Sequence, residues 1–307
     1  MTYFFKMVDI QMVLLIYLLV GVICRKSNII TTKNQGQFIN FVLNIIMPCM
    51  VFNSFKSITL DILKQAFVAL LISLGVCLFA LVLSRMVYKS YSQEKQKILR
   101  YATLINNAGF AGLPLAQTIY GDKGLIYASI FLIPIRVFMW SAGITMLTTN
   151  KVSPKMILIR LATNVNIIAV VLGIARGLLQ INLPTPIDSA ISCLSSCVSP
   201  LSMIVIGAII SDVKLKGLFE KGVVHYSLTR LFFLPLLTLC ICKLINIEPT
   251  IIGISVILTA MPAATSTSLL AYQNGLDETF ASKLILVTTV ASPITSPIIM
   301  TIIQSIS

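Results

Sequence analysis

Asn106-Asn107-Ala108-Gly109-Phe110-Ala111-Gly112-Leu113-Pro114 and Thr259-Ala260-Met261-Pro262-Ala263-Ala264-Thr265-Ser266 each interrupt an apolar run near its middle. The flanking residues suit a helix inside a membrane; glycine, proline and small polar residues at its centre do not. Irregular backbone at that depth survives only where it is buried in protein or lines a cavity. Two breaks at matching places in two halves of one chain point to the binding site of a solute carrier.

The rest of the chain supplies the membrane. Of 307 residues, 57% are apolar and 11% charged, with a mean hydropathy of +0.96. A soluble domain is nearer a quarter charged, so a water-soluble fold is excluded. Ten apolar segments are expected, at 8–25, 36–55, 62–87, 98–120, 124–148, 157–179, 187–210, 218–244, 250–274 and 279–304. Each is near the length that crosses a bilayer. The longest polar joint is expected between Tyr88 and Arg100. The first run precedes Arg25-Lys26, the reverse of the charge order in a secretory signal, so it is read as a retained span. The seven cysteines all lie in apolar segments and read as small core residues rather than metal ligands.

The net charge of +13 marks cytoplasmic loops here, not a nucleic-acid partner. Alternate joints hold fifteen Lys and Arg residues, Arg25, Lys95, Lys151, Lys214, Lys216 and Lys283 among them. The other joints and the two ends hold six: Lys6, Lys56, Lys64, Lys123, Arg176 and Lys243. The positive-inside rule places the first set in the cytoplasm. Both termini are then expected outside, which requires an even number of spans and a multi-pass protein of the cell membrane.

The two halves keep register. Gly21 and Gly173 lie 152 residues apart, as do Pro48 and Pro200. Pro114 and Pro262 are separated by 148, and the Ala128-Ser129 and Ala281-Ser282 pairs by 153. This spacing divides the chain into repeats of five spans, 1–150 and 151–307. Five is odd, so the second copy enters the membrane from the opposite face, giving inverted repeats. The expected fold is an all-α polytopic membrane protein of ten transmembrane helices.

The run Asn107-Ala108-Gly109-Phe110-Ala111-Gly112-Leu113-Pro114, with Ile119-Tyr120-Gly121 and Tyr127-Ala128 after it, resembles the fourth span of the auxin efflux carrier family. Pro262-Ala263-Ala264 through Leu270-Ala271, and Ser292 to Pro297, resemble its ninth and tenth spans. That family includes plant auxin exporters and bacterial carriers such as putative malate and malonate permeases. Plant members carry a long loop between spans 5 and 6. Here only Thr148 to Lys155 separates them, as in the short bacterial branch. The resemblance implies a scaffold of spans 1, 2, 6 and 7 and a moving transport domain of spans 3–5 and 8–10. It implies that broken spans 4 and 9 cross beside the substrate, an elevator-like shift, and a homodimer.

A broken helix exposes N–H groups on one half and C=O groups on the other, and its N-terminal end favours an anion. Asn106, Asn107, Thr265 and Ser266 offer neutral hydrogen-bonding groups; Gly109 and Gly112 permit close approach; Pro114, Pro262 and Ala263 shape the breaks. Two ordinary proline kinks without a ligand are the plainer alternative for each break alone. Asn44, Pro48 and Pro200 are weaker candidates on the scaffold side. Arg136 in span 5 and Arg230 in span 8 are charges inside the membrane, where ionisable residues mark function by default. Arg136 suits a carboxylate, or else a structural pair with Asp61, Asp9 or freed carbonyls. Arg230 is expected to be structural, with Asp212 as a partner.

No carboxylate falls clearly at mid-membrane, so no coupling ion is visible. With one histidine, His225, near a span end, no catalytic residue, metal site or cofactor is expected. The leading expectation is a secondary transporter of a small organic anion. A channel or a ligand-sensing membrane protein on the same fold is the alternative.

Overall fold

A computed structural model describes residues 2–147, 153–212, 217–245 and 247–306, with only the backbone for 2–8 and 304–306. Lys151, Lys214, Lys216, the Lys6 side chain and most of the joint after Leu147 therefore lie outside the described residues. The described chain is helical throughout. In order the helices are α1 (Thr2–Lys26), α2 (Gln35–Ser57), α3 (Leu60–Val87), α4 (Gln93–Leu104) and α5 (Ala108–Leu147). They continue with α6 (Pro154–Ala162), α7 (Val165–Leu178), α8 (Thr185–Ile210), α9 (Lys221–Leu244), α10 (Pro249–Thr259), α11 (Ser266–Gln273) and α12 (Glu278–Ile306).

Among the described residues six helices are long and apolar enough to cross a membrane, or seven if α6 and α7, bent by 57°, form one span. The count falls short of ten because α1 is not among the six and because of local breaks. The expected spans 4 and 9 are each split, into α4 with the start of α5 and into α10 with α11. The expected span 5 is continuous with the second part of span 4, because α5 runs 40 residues. At 1.5 Å per residue that is roughly twice a hydrocarbon core of about 30 Å. The helix breaks within it at Gly121, whose φ of 63° and ψ of −156° only glycine adopts at little cost.

The polar joint before α4 is shorter than expected. Gln93–Leu104 is already helical, so Lys95, Lys97 and Arg100 ride on it rather than on a loop. The segment is amphipathic, burying Ile98, Leu99, Tyr101 and Ala102, and tertiary packing sustains a helix whose composition reads as polar.

Side chains are sorted as a bilayer dictates. α3 buries Ala66, Ala69, Ser73, Cys77, Ala80 and Ser84 and exposes Phe67, Leu71, Leu74, Leu78, Val82 and Met86. Between helices in lipid, small residues permit close backbone approach while large ones face the equally apolar solvent. The same logic joins α1 to α8. A Cβ on Gly21 would lie 2.1 Å from the Ile204 carbonyl oxygen, and one on Gly207 2.0 Å from that of Leu18. α7 meets α2 in the same manner, with Gly177 against the Phe55 carbonyl and Gly173 against the Phe55 ring.

α1 packs on α8 and α12, α2 packs on α7, α8 and α5, and α3 packs on α5. The ion pairs fall into two sets. Arg25–Asp212, Lys95–Glu220 and Lys283–Glu220 join residues near expected cytoplasmic ends. Lys56–Asp188, Arg176–Asp188, Lys123–Glu248 and Lys64–Asp61 join residues near the opposite ends. Among the described residues no pair mixes the sets.

Candidate functional site

The two breaks meet. Asn106 and Ala263 form an antiparallel bridge, the isolated strand-like contact of this helical chain. The Asn107 N–H donates to the Pro262 carbonyl at 2.8 Å. The Asn106 side-chain amide donates to the Leu258 carbonyl at 2.5 Å. That acceptor fixes which way the Asn106 amide points. The Ala263 N–H donates to the Thr288 hydroxyl of α12 at 3.0 Å.

These contacts follow from the interrupted ladders. Asn107 N–H would serve the Thr103 carbonyl in a continuous helix, but it is turned toward Pro262. The freed Thr103 carbonyl accepts from Arg230 Nη1 at 2.9 Å, and the Met261 carbonyl accepts from Arg230 Nε at 3.1 Å. One turn earlier on α9, the Tyr226 hydroxyl donates to the Ala102 carbonyl at 3.0 Å. The carbonyl-bearing ends of α4 and α10 are therefore capped by the protein's own side chains. The opposite ends, the first turns of α5 and α11, carry the N–H groups that a helix start leaves open.

Arg136 faces one of those starts. A Cβ on Gly109 would lie 3.1 Å from Arg136 Nη2, so the missing side chain makes room for the guanidinium. Among the described residues no hydrogen bond or ion pair is seen for Arg136, which is half-buried, and Asp61 pairs instead with Lys64. The Tyr101 hydroxyl, within electrostatic reach of Arg136, shares a 3.0 Å hydrogen bond with the Ser266 hydroxyl at the start of α11.

Arg136 lines a groove of roughly 360 Å³ between α5 and the α2–α7 pair. Its other polar walls are Ser129, Asn164 and Asn166, and its apolar ones include Met47, Val51 and Val170. The Asn166 side-chain oxygen is buried without a partner. A second groove, roughly 440 Å³, lies between α1, α8 and α12 with Met261 and Pro262 at its edge. It holds Gln11, Thr289, Ser292 and Ser296 but no charged side chain.

A family model described as membrane transport protein matches residues 6–300. The chain belongs to that family. It is the family of the auxin efflux carriers, as the fourth-span motif implies. An uncharacterized transporter of Methanocaldococcus jannaschii is similar at 29% identity over 301 residues, covering 92% of this chain and 94% of that protein. An uncharacterized transporter of Methanothermobacter thermautotrophicus is 23% identical over 291 residues, with 92% and 94% covered. As a membrane transport protein the chain is multi-pass and handles a small-molecule substrate.

In this membrane transport protein the expected site residues have distinct placements. Asn106, Asn107, Pro262 and Ala263 build the contact between breaks, and the Asn107 side-chain nitrogen is buried with no partner. Gly109 receives Arg136, and Ser266 meets Tyr101. Gly112 packs against Leu258 and Met261, so its role is close contact between the breaks. Thr265 caps α11 in sequence position without a side-chain cap bond. Pro114 lies beyond the break, in the first turn of the regular helix that begins at Leu113. Asn44 is exposed, and it, Pro48 and Pro200 line neither groove.

One expectation changes. Arg230 does not meet Asp212, which is held by Arg25 at 2.5 Å; it reaches the breaks instead. Asn166, Ser129 and Tyr101 escaped sequence reasoning because single polar residues in apolar helices gain meaning only when a groove collects them.

Proposed function

We propose that the protein is a secondary carrier of a small organic anion, with the carboxylate held at Arg136 beside the two breaks. The observation that carries this is the partnerless guanidinium against Gly109, facing a groove otherwise lined by neutral and apolar groups. A half-buried cation at membrane depth without a counter-charge is costly. A carboxylate relieves that cost, and a guanidinium holds it in a bidentate fork. The open N–H groups at the start of α5 favour the same charge.

The reading extends to the whole chain. Ten crossings in two inverted five-helix repeats, 1–150 and 151–307, explain why ion pairs segregate into two sets, with both termini outside the cell membrane. Repeat symmetry also explains why α1 packs on α8 as α7 packs on α2. The two grooves flank the breaks at the boundary between the scaffold group and the transport group. Sliding one group against the other, in a homodimer joined through the scaffold, exposes the anion to each side in turn. Export of an anion from a negative-inside cell releases about 2.3 kcal/mol per charge per 100 mV, so the outward direction needs no coupling ion.

Purified protein screened by thermal shift against small carboxylates identifies the ligand, since binding to the native state raises apparent stability. Proteoliposomes then show saturable uptake and counterflow of that acid. A flux that cannot be driven by counterflow rejects the carrier in favour of a pore.

A further inference from the structure

The cation at the carbonyl ends of the breaks is Arg230, and among the described residues no acidic side chain pairs with it. Arg230 is 2% exposed. Its hydrogen bonds go to two backbone carbonyls, Thr103 at 2.9 Å and Met261 at 3.1 Å, one from each broken span. Each helix C-terminus carries roughly half a negative charge. Two such ends together ask for about one positive charge, which is what a single guanidinium supplies. Broken-helix carriers commonly place a sodium ion or a proton among carbonyls freed in this way.

We propose that Arg230 is a tethered replacement for that coupling cation. It fills the space between the C-terminal ends of α4 and α10 permanently, so no mobile sodium ion enters there during the transport cycle. The inference rests on the carrier reading for its meaning in transport, but the occupancy of the carbonyl site is testable without any substrate.

Three local features support a built site rather than an accidental contact. Arg230 lies in a π-helical turn, 229–233, which offsets its side chain from the regular register of α9. Pro235 follows that turn and lacks the N–H that would bond back to Leu231. The Tyr226 hydroxyl, four residues earlier, takes the neighbouring Ala102 carbonyl, leaving Thr103 for the guanidinium alone. Arg136, the other intramembrane cation, touches none of these carbonyls and remains open to the groove.

The test measures the melting temperature of purified full-length protein in detergent at constant ionic strength. For the wild type, exchanging choline chloride for sodium chloride is expected to leave the melting temperature unchanged. A saturable rise with sodium would overturn the proposal. In Arg230→Ala the melting temperature is expected to fall, and millimolar guanidinium chloride to restore several degrees in a saturable manner while doing nothing for the wild type. A folded Arg230→Ala protein indifferent to guanidinium would also overturn it. Should Arg230→Ala not fold, Arg230→Lys and Arg230→Met are compared. Lys is expected to retain more stability than the similarly long Met, whereas equal stability refutes a role for charge. None of these readouts requires flux, so a failed carrier assignment and a failed cation assignment give different results.

Discussion

At the scale of single residues, the two asparagines beside the first break are chemically alike and energetically unlike. The Asn106 amide nitrogen is committed to the Leu258 carbonyl while its oxygen is buried without a partner, whereas the Asn107 side-chain nitrogen has no partner and only its backbone joins the breaks. Asn106→Ala is therefore expected to destabilise the protein by about 1–3 kcal/mol through an orphaned carbonyl, seen as a lower melting temperature. Asn107→Ala leaves every observed bond intact; its stability should hold while its flux falls. A stable Asn107→Ala protein with full flux would remove that side chain from the site.

Arg136 belongs to the same scale. A charge-assisted hydrogen bond contributes about 1.5–3 kcal/mol, so Arg136→Ala should weaken the carboxylate identified by thermal shift by roughly 10- to 100-fold. Arg136→Lys keeps the charge but loses the fork and falls between. Gly109→Ala places a methyl group 3.1 Å from Nη2. A guanidinium at the end of a flexible chain yields easily, so the variant should fold normally and show a raised KM.

At the scale of elements, prolines govern where helices loosen. Pro48, Pro114 and Pro235 each follow a π-helical turn, at 42–46, 108–112 and 229–233. Each proline lacks the N–H that would bond four residues back, and the widened turn accommodates the missing bond. A fourth such turn, 139–143, has no proline after it, and nothing in the structure explains it. Helix pairing is the other element-scale device. Gly207→Val would drive side-chain atoms into the Leu18 carbonyl, 2.0 Å from the Cβ position. Backbone cannot yield there as a side chain can. A loss of at least about 1–3 kcal/mol is expected, read as a lower melting temperature or as failure to accumulate. Gly75→Ala, with nothing within 4 Å, is the matched control.

At the scale of the whole molecule, sidedness and motion are the testable properties. In a background without native cysteines, Ser92→Cys should react with an impermeant thiol reagent only from the cytoplasmic side, and Ser57→Cys only from outside. Labelling of both from one side would reject the ten-crossing topology. Ile133 and Ile167 line the same groove from α5 and α7. Joining cysteines at these positions with a bifunctional reagent should stop flux if the two groups slide past each other. Full flux in the cross-linked protein would reject that motion.

The amino-acid sequence alone determined the membrane class, the helical content and the positions of both breaks. These depend on local properties: hydropathy integrated over a span, and the backbone demands of glycine and proline. It also marked Arg136, because a charge in an apolar run is conspicuous wherever it points. Tertiary structure decided the rest. The sequence cannot show that Arg230 serves two carbonyls 127 and 31 residues away, or that Arg136 has no hydrogen-bond partner among the described residues. Nor can it show that Asn166 and Ser129 share a groove with Arg136. Hydrogen bonds of that kind have no period and no spacing. They exist only once two interrupted helices have met and their unsatisfied backbone groups have found whatever side chains the packing brings within reach.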